Sequence, residues 1–311
     1  MKYYSKETYF KLPEIKILQQ HIVPKNIENI RLQEYAPEIF SEFIPSKSGI
    51  KKAIKNNLFL INGEIAQTGS WVISGQKIEL ISDNSIKPKV FEYRLEVIIE
   101  DEHFAAIYKP AGITVSGNKF KTIFNALPFN LTESSEPDAL FKPTPVHRLD
   151  NQTSGILLIA KTKTAQISLG SQFSDKTIQK TYHTIVIGKT TNEQTITTPI
   201  ETKESETYFE LISAIESLKY QHLSLLKVSP KTGRTHQIRI HLASINHPIL
   251  GDKLYGNTES LHKGKGLFLA ATEIEFKHPK TLKEIHLKTA IPSKFHSLLT
   301  REERRWNNYY L

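Results

Sequence analysis

The run Pro145–Thr162, PVHRLDNQTSGILLIAKT, holds the densest set of side chains able to do chemistry. His147, Arg148 and Asp150 fall in a polar loop. Thr153, Ser154 and Gly155 make a tight turn, and Ile156–Ala160 then reads as a short buried strand. An acid at the lip of a buried strand, preceded by a basic pair, suits an active-site loop on a rigid support. A purely structural Arg–Asp ion pair fits the same residues. An acid that works as a carboxylate in such a site must stay ionised while shielded from water. Burial alone disfavours the charged form, so such a site also needs a cation beside the acid.

Other chemistries find less support. The 311-residue chain has no cysteine, which removes disulfides, thiolate zinc sites and thiol catalysis. His147, His236 and His241 could suggest a metal, but His236 and His241 are five apart. That spacing does not share a helix face as four would, and no carboxylates cluster with them. A histidine metal site is therefore not expected. The net charge of +9 suits a polyanionic partner, because Lys and Arg release counterions from phosphates. A basic enzyme with no such partner has the same charge. No signal peptide opens the chain, and no apolar run approaches the ~20 residues of a membrane span. A soluble, cytoplasmic monomer is expected.

The elements that must position these groups read as two domains. Residues 1–19 are taken as an N-terminal extension, 20–82 as a small α/β module, and 83–92 as a polar linker. Residues 93–300 form the catalytic domain and 301–311 a charged helical tail whose charges face solvent. In the module, Ser46 or Ser48 can cap a helix burying Ile50, Ala53 and Ile54. Lys47, Lys51 and Lys55 recur at four-residue spacing on another face, with Lys52 nearby. Asn62-Gly63 is a strong tight-turn signal. The larger domain has strand-like segments at 95–99, 104–108, 156–160, 182–187, 209–215, 223–228 and 267–276, and helical patterns near 164–173 and 235–245. This is an α+β fold on a large, mainly antiparallel or mixed sheet. Residues 131–144 read as a mobile surface loop.

Two resemblances sharpen the reading. HIVPKNIENIRLQEYA, SKSGIKKAIKNNLFLINGEIA and VISGQKIELI, in that order, resemble the αL RNA-binding module shared with a ribosomal small-subunit protein. The Ser46-Lys47-Ser48 start lacks an arginine often found there. The run from His147 to Lys161 resembles the HRLD signature of the RluA-type pseudouridine synthases. His147, Arg148, Leu149, Asp150, Thr153, Ser154, Gly155, Leu158, Ala160 and Lys161 all match. Further blocks follow in the family's order: DEHFAAIYKPAG, Lys180-Thr181-Tyr182 with Gly188, TGRTHQIRIHLASINHPILGDKLYG, and Leu267–Pro279. A sister synthase class usually has glycine where His147 stands.

The resemblance implies cofactor-free isomerisation of uridine to pseudouridine in rRNA or tRNA, with the target base flipped from its stack. An inactive RNA-binding protein of the same fold is the alternative. Asp150 is carried over as the nucleophile, attacking either ribose C1′ or the uracil ring. Arg239 is carried over as its cation, beside a helical stripe of Ile238, Leu242 and Ile245. Tyr182 is carried over as the tyrosine that stacks on the base. Alternation puts it with Thr184, away from the more apolar face of Ile185 and Ile187. Arg148 would fill the RNA stack and His147 would orient the loop. Arg234 would contact phosphate and Lys109 would shape the pocket wall; both are counted, with Lys47, Lys51, Lys52 and Lys55, as RNA-facing residues. The sequence departs from the family at Ala270, at Ser116-Gly117 and at Asn246, where asparagine tolerates the left-handed conformation of a helix end.

Overall fold

The computed structural model describes residues 15–27, 29–41, 43, 44, 46–83, 90–256 and 264–310, and the chain divides into two units between Lys87 and Pro88. The N-terminal unit runs β1 (Ile15–Ile22), β2 (Ile30–Arg31), α1 (Leu32–Ile39), α2 (Lys47–Lys55), β3 (Phe59–Ile61), β4 (Glu64–Ile65), β5 (Trp71–Val72) and β6 (Lys77–Asp83). Four strands form an antiparallel sheet in the order β1-β6-β3-β4, and β2 pairs with β5. Ser46 begins α2 because its hydroxyl accepts the Gly49 amide at 3.0 Å, which relieves one unpaired donor of the first turn. Ile50, Ala53 and Ile54 then enter the core against Phe40, Phe59 and Leu80. That leaves Lys47, Lys51, Lys52 and Lys55 exposed. Asn62 and Gly63 both have positive φ, 53° and 86°, as a two-residue turn between strands β3 and β4 requires. The extension was expected to end at residue 19, but β1 pairs with β6 from Ile15 onward, so residues 15–19 belong to this sheet.

The C-terminal unit continues with β7 (Glu96–Glu100), β8 (Phe104–Lys109), α3 (Ile123–Asn130), β9 (Ala139–Pro145), β10 (Ser154–Thr162), α4 (Lys163–Ser174) and β11 (Gln179–Ile187). There follow β12 (Glu193–Ile196), β13 (Thr207–Ser217), β14 (Gln221–Pro230), α5 (Gln237–Ser244), β15 (Leu269–Lys277), β16 (Glu284–Lys288) and α6 (Ser293–Tyr310). Ten strands make one mixed sheet in the order β12-β13-β14-β11-β15-β10-β8-β7, with β9 on β10 and β16 on β15. β10 lies parallel to β15 and antiparallel to β8 and β9. The α+β class read from the sequence is the architecture found.

The central strands are covered on both faces, which is why β10 reads as an unbroken apolar run. Leu157 and Ile159 pack with Ile123 and Leu127 of α3, whereas Ile156 and Leu158 pack with Leu169 of α4. Likewise Ile185 of β11 meets Phe295 and Leu298 of α6, and Val186 meets Ile238 and Leu242 of α5. The supposed loop 131–144 is only partly irregular. Its second half is β9, paired at Thr144 with Ala160, and its first half is tied down by Thr132 and Ser135 amides donated to Glu100 and Glu102. The tail is also corrected. It is the end of an 18-residue helix, and Glu302 is buried, accepting from Ser217 Oγ at 2.9 Å and from Arg301 and Arg305.

Candidate active site

Asp150 is set by the strands that flank its loop. Lys109 ends β8 opposite Gly155 of β10 and is fully buried. Its ammonium donates to three main-chain oxygens: Thr153 at 2.7 Å, Pro110 at 2.9 Å and Asn151 at 3.1 Å. The Gly112 amide adds a bond to Asn151 O at 2.7 Å, and Thr153 N closes on Asp150 O at 3.1 Å. Lys109 had been counted as an RNA-facing residue, but a side chain with no exposed surface cannot reach RNA; it holds the acid loop from beneath. Burial pushes its pKa down to about 8, against the raising influence of Asp150.

Arg239 comes from α5, and its start is held by a neighbour. Gln237 is buried, with its oxygen accepting Thr232 Oγ1 at 2.7 Å and Arg234 N at 3.0 Å. Its amide nitrogen donates to Glu206 O and Thr207 Oγ1, both at 2.9 Å. The bonded amide fixes the turn before the helix, and His236 takes φ 56° there. Ile238 and Leu242 bury the helix as expected, and Arg239 beside them is 7% exposed at the side chain. Its guanidinium meets Asp150 only once, Nη1 to Oδ2 at 3.5 Å. Its tight partner is Asp252, bound through Nε at 2.7 Å and Nη2 at 2.8 Å. Asp252 escaped the sequence reading. It lies in a turn with no periodicity to mark it, and nothing local signals its pairing with Arg239.

Asp150, Arg239 and Tyr182 line one cavity of about 290 Å³, together with Arg148, Arg234 and Lys180. Tyr182 packs against the apolar clusters of both α3 and α5, so it does not point away from apolar surface. Alternation could not tell the faces of β11 apart because helices cover both. Burial and the nearby Asp150 charge raise the Tyr182 phenol well above its ordinary range and keep it protonated. His147 stacks on Phe173 with ring centres 4.6 Å apart, and its Nε2 accepts the Leu158 amide at 3.0 Å. Burial, with Lys180 beside it, pushes its pKa down to about 3, so the ring is neutral. The Leu158 bond ties the ring to β10, the strand that follows the acid loop. Arg148 is exposed at the cavity wall, and Arg234 donates from Nε to Glu204 O at 3.1 Å.

Of the three histidines considered for a metal, His147 and His236 line this cavity and His241 does not. His241 faces Thr198 O and Ser205 Oγ. His236 lies 3.7 Å from Asp150 Oδ1 and lines a second cavity of about 730 Å³ that also includes Asp150 and Arg239. Asn246 takes φ 63° at the end of α5, in keeping with its tolerance of that conformation.

An acid, an arginine and a tyrosine from three separate chain segments thus meet in one cavity. The family model for RNA pseudouridylate synthase matches residues 103–244. A protein of Aquifex aeolicus described as an uncharacterized RNA pseudouridine synthase is 34% identical over 282 residues, 81% of this chain and 87% of that protein. The chain belongs to the RNA pseudouridine synthases. It is also similar to ribosomal large subunit pseudouridine synthase C of Vibrio vulnificus, at 34% identity over 74% of this chain and 76% of that one. Human RNA pseudouridylate synthase domain containing 1 shares the fold, with a TM-score of 0.54 over 67% of this chain and 87% of that one, at 22% identity. The RluA-type assignment read from the HRLD run therefore stands. The matched range 103–244 takes in the loop gripped by Lys109, from His147 to Gly155, as well as Tyr182 and Arg239.

Proposed function

We propose that this pseudouridine synthase acts on a uridine of large-subunit ribosomal RNA, with Asp150 as nucleophile. The isomerisation breaks the C1′–N1 bond, joins C1′ to C5, and moves one proton from C5 to N1, so it needs no redox partner. The single observation that carries the reading is the Asp150 carboxylate, 18% exposed, in a cavity that Arg239 and Tyr182 also line. At about 290 Å³ the cavity lies at the small end of ligand pockets and suits one unstacked nucleoside. Tyr182, kept protonated, supplies a flat face for the base, and exposed Arg148 is placed to occupy the space the base leaves. Arg239, clamped by Asp252, brings its positive charge to 3.5 Å from Asp150 Oδ2.

Support for a ribosomal target comes from the relatives, several of which are described as ribosomal large subunit pseudouridine synthases. We assign RNA binding to the N-terminal unit as well, on the exposed Lys47, Lys51, Lys52 and Lys55 of α2 and the resemblance of its sequence to the αL module. Among the described residues no helix is long and apolar enough to cross a membrane, in keeping with a cytoplasmic, ribosome-directed enzyme. The test is to map pseudouridines in total RNA from a strain lacking this protein. One missing large-subunit site, restored by the wild-type gene and not by Asp150→Asn, is the expected result. A site lost only from tRNA would overturn the assignment of target.

A further inference from the structure

The two oxygens of Asp150 face different neighbours. Oδ2 faces Arg239 Nη1 at 3.5 Å, and Oδ1 faces His236 Nε2 at 3.7 Å. Both gaps exceed the ~2.7–2.9 Å of a charge-assisted hydrogen bond, so the carboxylate is held loosely on either side. Arg239 is poorly placed to close its gap. Its other nitrogens are bound at 2.7 and 2.8 Å to Asp252, whose side chain is 1% exposed, and moving would break that pair. His236 is under no such constraint. It is 25% exposed, it precedes the first turn of α5, and its side chain makes no capping bond to that helix.

What holds the imidazole is Tyr255. Its hydroxyl lies 2.9 Å from Nδ1, and the two rings meet edge to face at 5.6 Å. Tyr255 is itself anchored, with its amide on Asp252 Oδ1 at 3.1 Å and its ring beneath the Arg239 guanidinium at 5.1 Å. A lone pair on Nε2 would repel the Asp150 carboxylate. The favoured neutral tautomer therefore carries its proton on Nε2 and accepts the Tyr255 hydroxyl at Nδ1. The backbone of His236 is left-handed at φ 56°, an uncommon conformation for a residue other than glycine.

We propose that His236 is a positioning residue for Asp150: its Nε2–H closes on Oδ1 when RNA fills the cavity, with Tyr255 fixing the tautomer. Both oxygens are then held, Oδ2 by Arg239 and Oδ1 by His236, and the remaining lone pair has one direction in which to attack. The proposal rests on Asp150 being the nucleophile.

The experiment uses the full chain and total RNA from a strain lacking this protein, labelled with tritium at uridine C5, which is released on isomerisation. Single-turnover rate, filter retention of the same RNA and melting temperature are measured for His236→Phe, His236→Gln, Tyr255→Phe and Asp150→Asn. His236→Phe is expected to lower the rate about 100-fold with RNA retention unchanged, the scale of misplacing a reacting group. His236→Gln, whose amide can still donate to Oδ1, is expected to recover about tenfold of that loss, and Tyr255→Phe to lose several-fold. A rate for His236→Phe near wild type overturns the proposal. So does a Gln variant no better than Phe, with both melting early, which marks a purely structural histidine. Turnover by Asp150→Asn would instead remove the nucleophile on which the proposal stands.

Discussion

Arg239 grips Asp252 with two bonds, at 2.7 and 2.8 Å, and touches Asp150 with one at 3.5 Å. The buried clamp is thus a second acid, and the acid assigned to the chemistry is left loosely held. Asp252→Ala strands the Arg239 charge at a largely buried site. The expected loss is about 3–5 kcal/mol, read from the urea midpoint. Burial pushes the Asp252 carboxyl up, but the Arg239 pair and the Leu254 and Tyr255 amides outweigh it and hold it below the usual range. A carboxyl depressed in the folded state contributes stability above its unfolded value, near pH 4, and loses it as pH falls further. An Asp252→Asn protein should therefore show a flatter acid limb of stability than wild type. Equal acid limbs would mean the clamp contributes little.

Asp150→Asn is isosteric and leaves Arg239 on Asp252. No carbon-linked product is expected from uridine-labelled RNA, with RNA affinity within about threefold of wild type. Turnover like that of the wild type would take Asp150 out of its role.

Lys109 sets an alkaline limit on activity. Its folded pKa is about 8, so its charge and part of its grip on the loop disappear above that pH. The single-turnover rate should fall between pH 8 and 9.5. Stability should not fall for the same reason. The unfolded lysine keeps its proton to about 10.4, so the unfolded state binds more protons in this window and the linkage term favours folding as pH rises. A rate that is flat to pH 9.5 would argue against the lysine's control of the loop.

Gly155→Ala tests the close parallel pairing of β10 and β15. Gly155 has φ 125°, and a Cβ there would run into the main chain of Ala271. The expected cost is at least about 2–3 kcal/mol, seen as a lower urea midpoint. An unchanged midpoint would mean the two strands can separate freely.

RNA binding should weaken steeply with salt, the slope on logarithmic axes counting displaced counterions. Replacing Lys51 and Lys55 together by Gln should shallow that slope by roughly 1–2 if both meet phosphate. No change in slope would place the RNA contacts of the N-terminal unit elsewhere.

Much of this was legible because local signals and family order agree. Ser46, Asn62-Gly63 and the stripe of Ile238 and Leu242 each name their own structure. Asp150, Tyr182 and Arg239 stood in recognisable blocks, and the structure brings all three to one cavity. Asp252 did not stand out, because its importance lies in a bond across 13 residues that no periodicity encodes. Tyr182 was placed in the right cavity for an incomplete reason, since alternation fails on a strand buried on both faces. β9 was concealed by its two prolines and by its place beside a fully buried partner. Lys109 was counted with the RNA-facing residues because sequence cannot tell a lysine that meets phosphate from one that meets carbonyl oxygens.

The grip of Lys109 carries a consequence for retargeting. The ammonium binds main-chain oxygens of Pro110, Asn151 and Thr153 and none of the loop's side chains. The shape of the acid loop is therefore largely uncoupled from the identity of residues 151 and 152. Those two positions form a natural cassette, open to exchange by evolution or by an engineer seeking a different uridine, while the nucleophile stays where the backbone puts it.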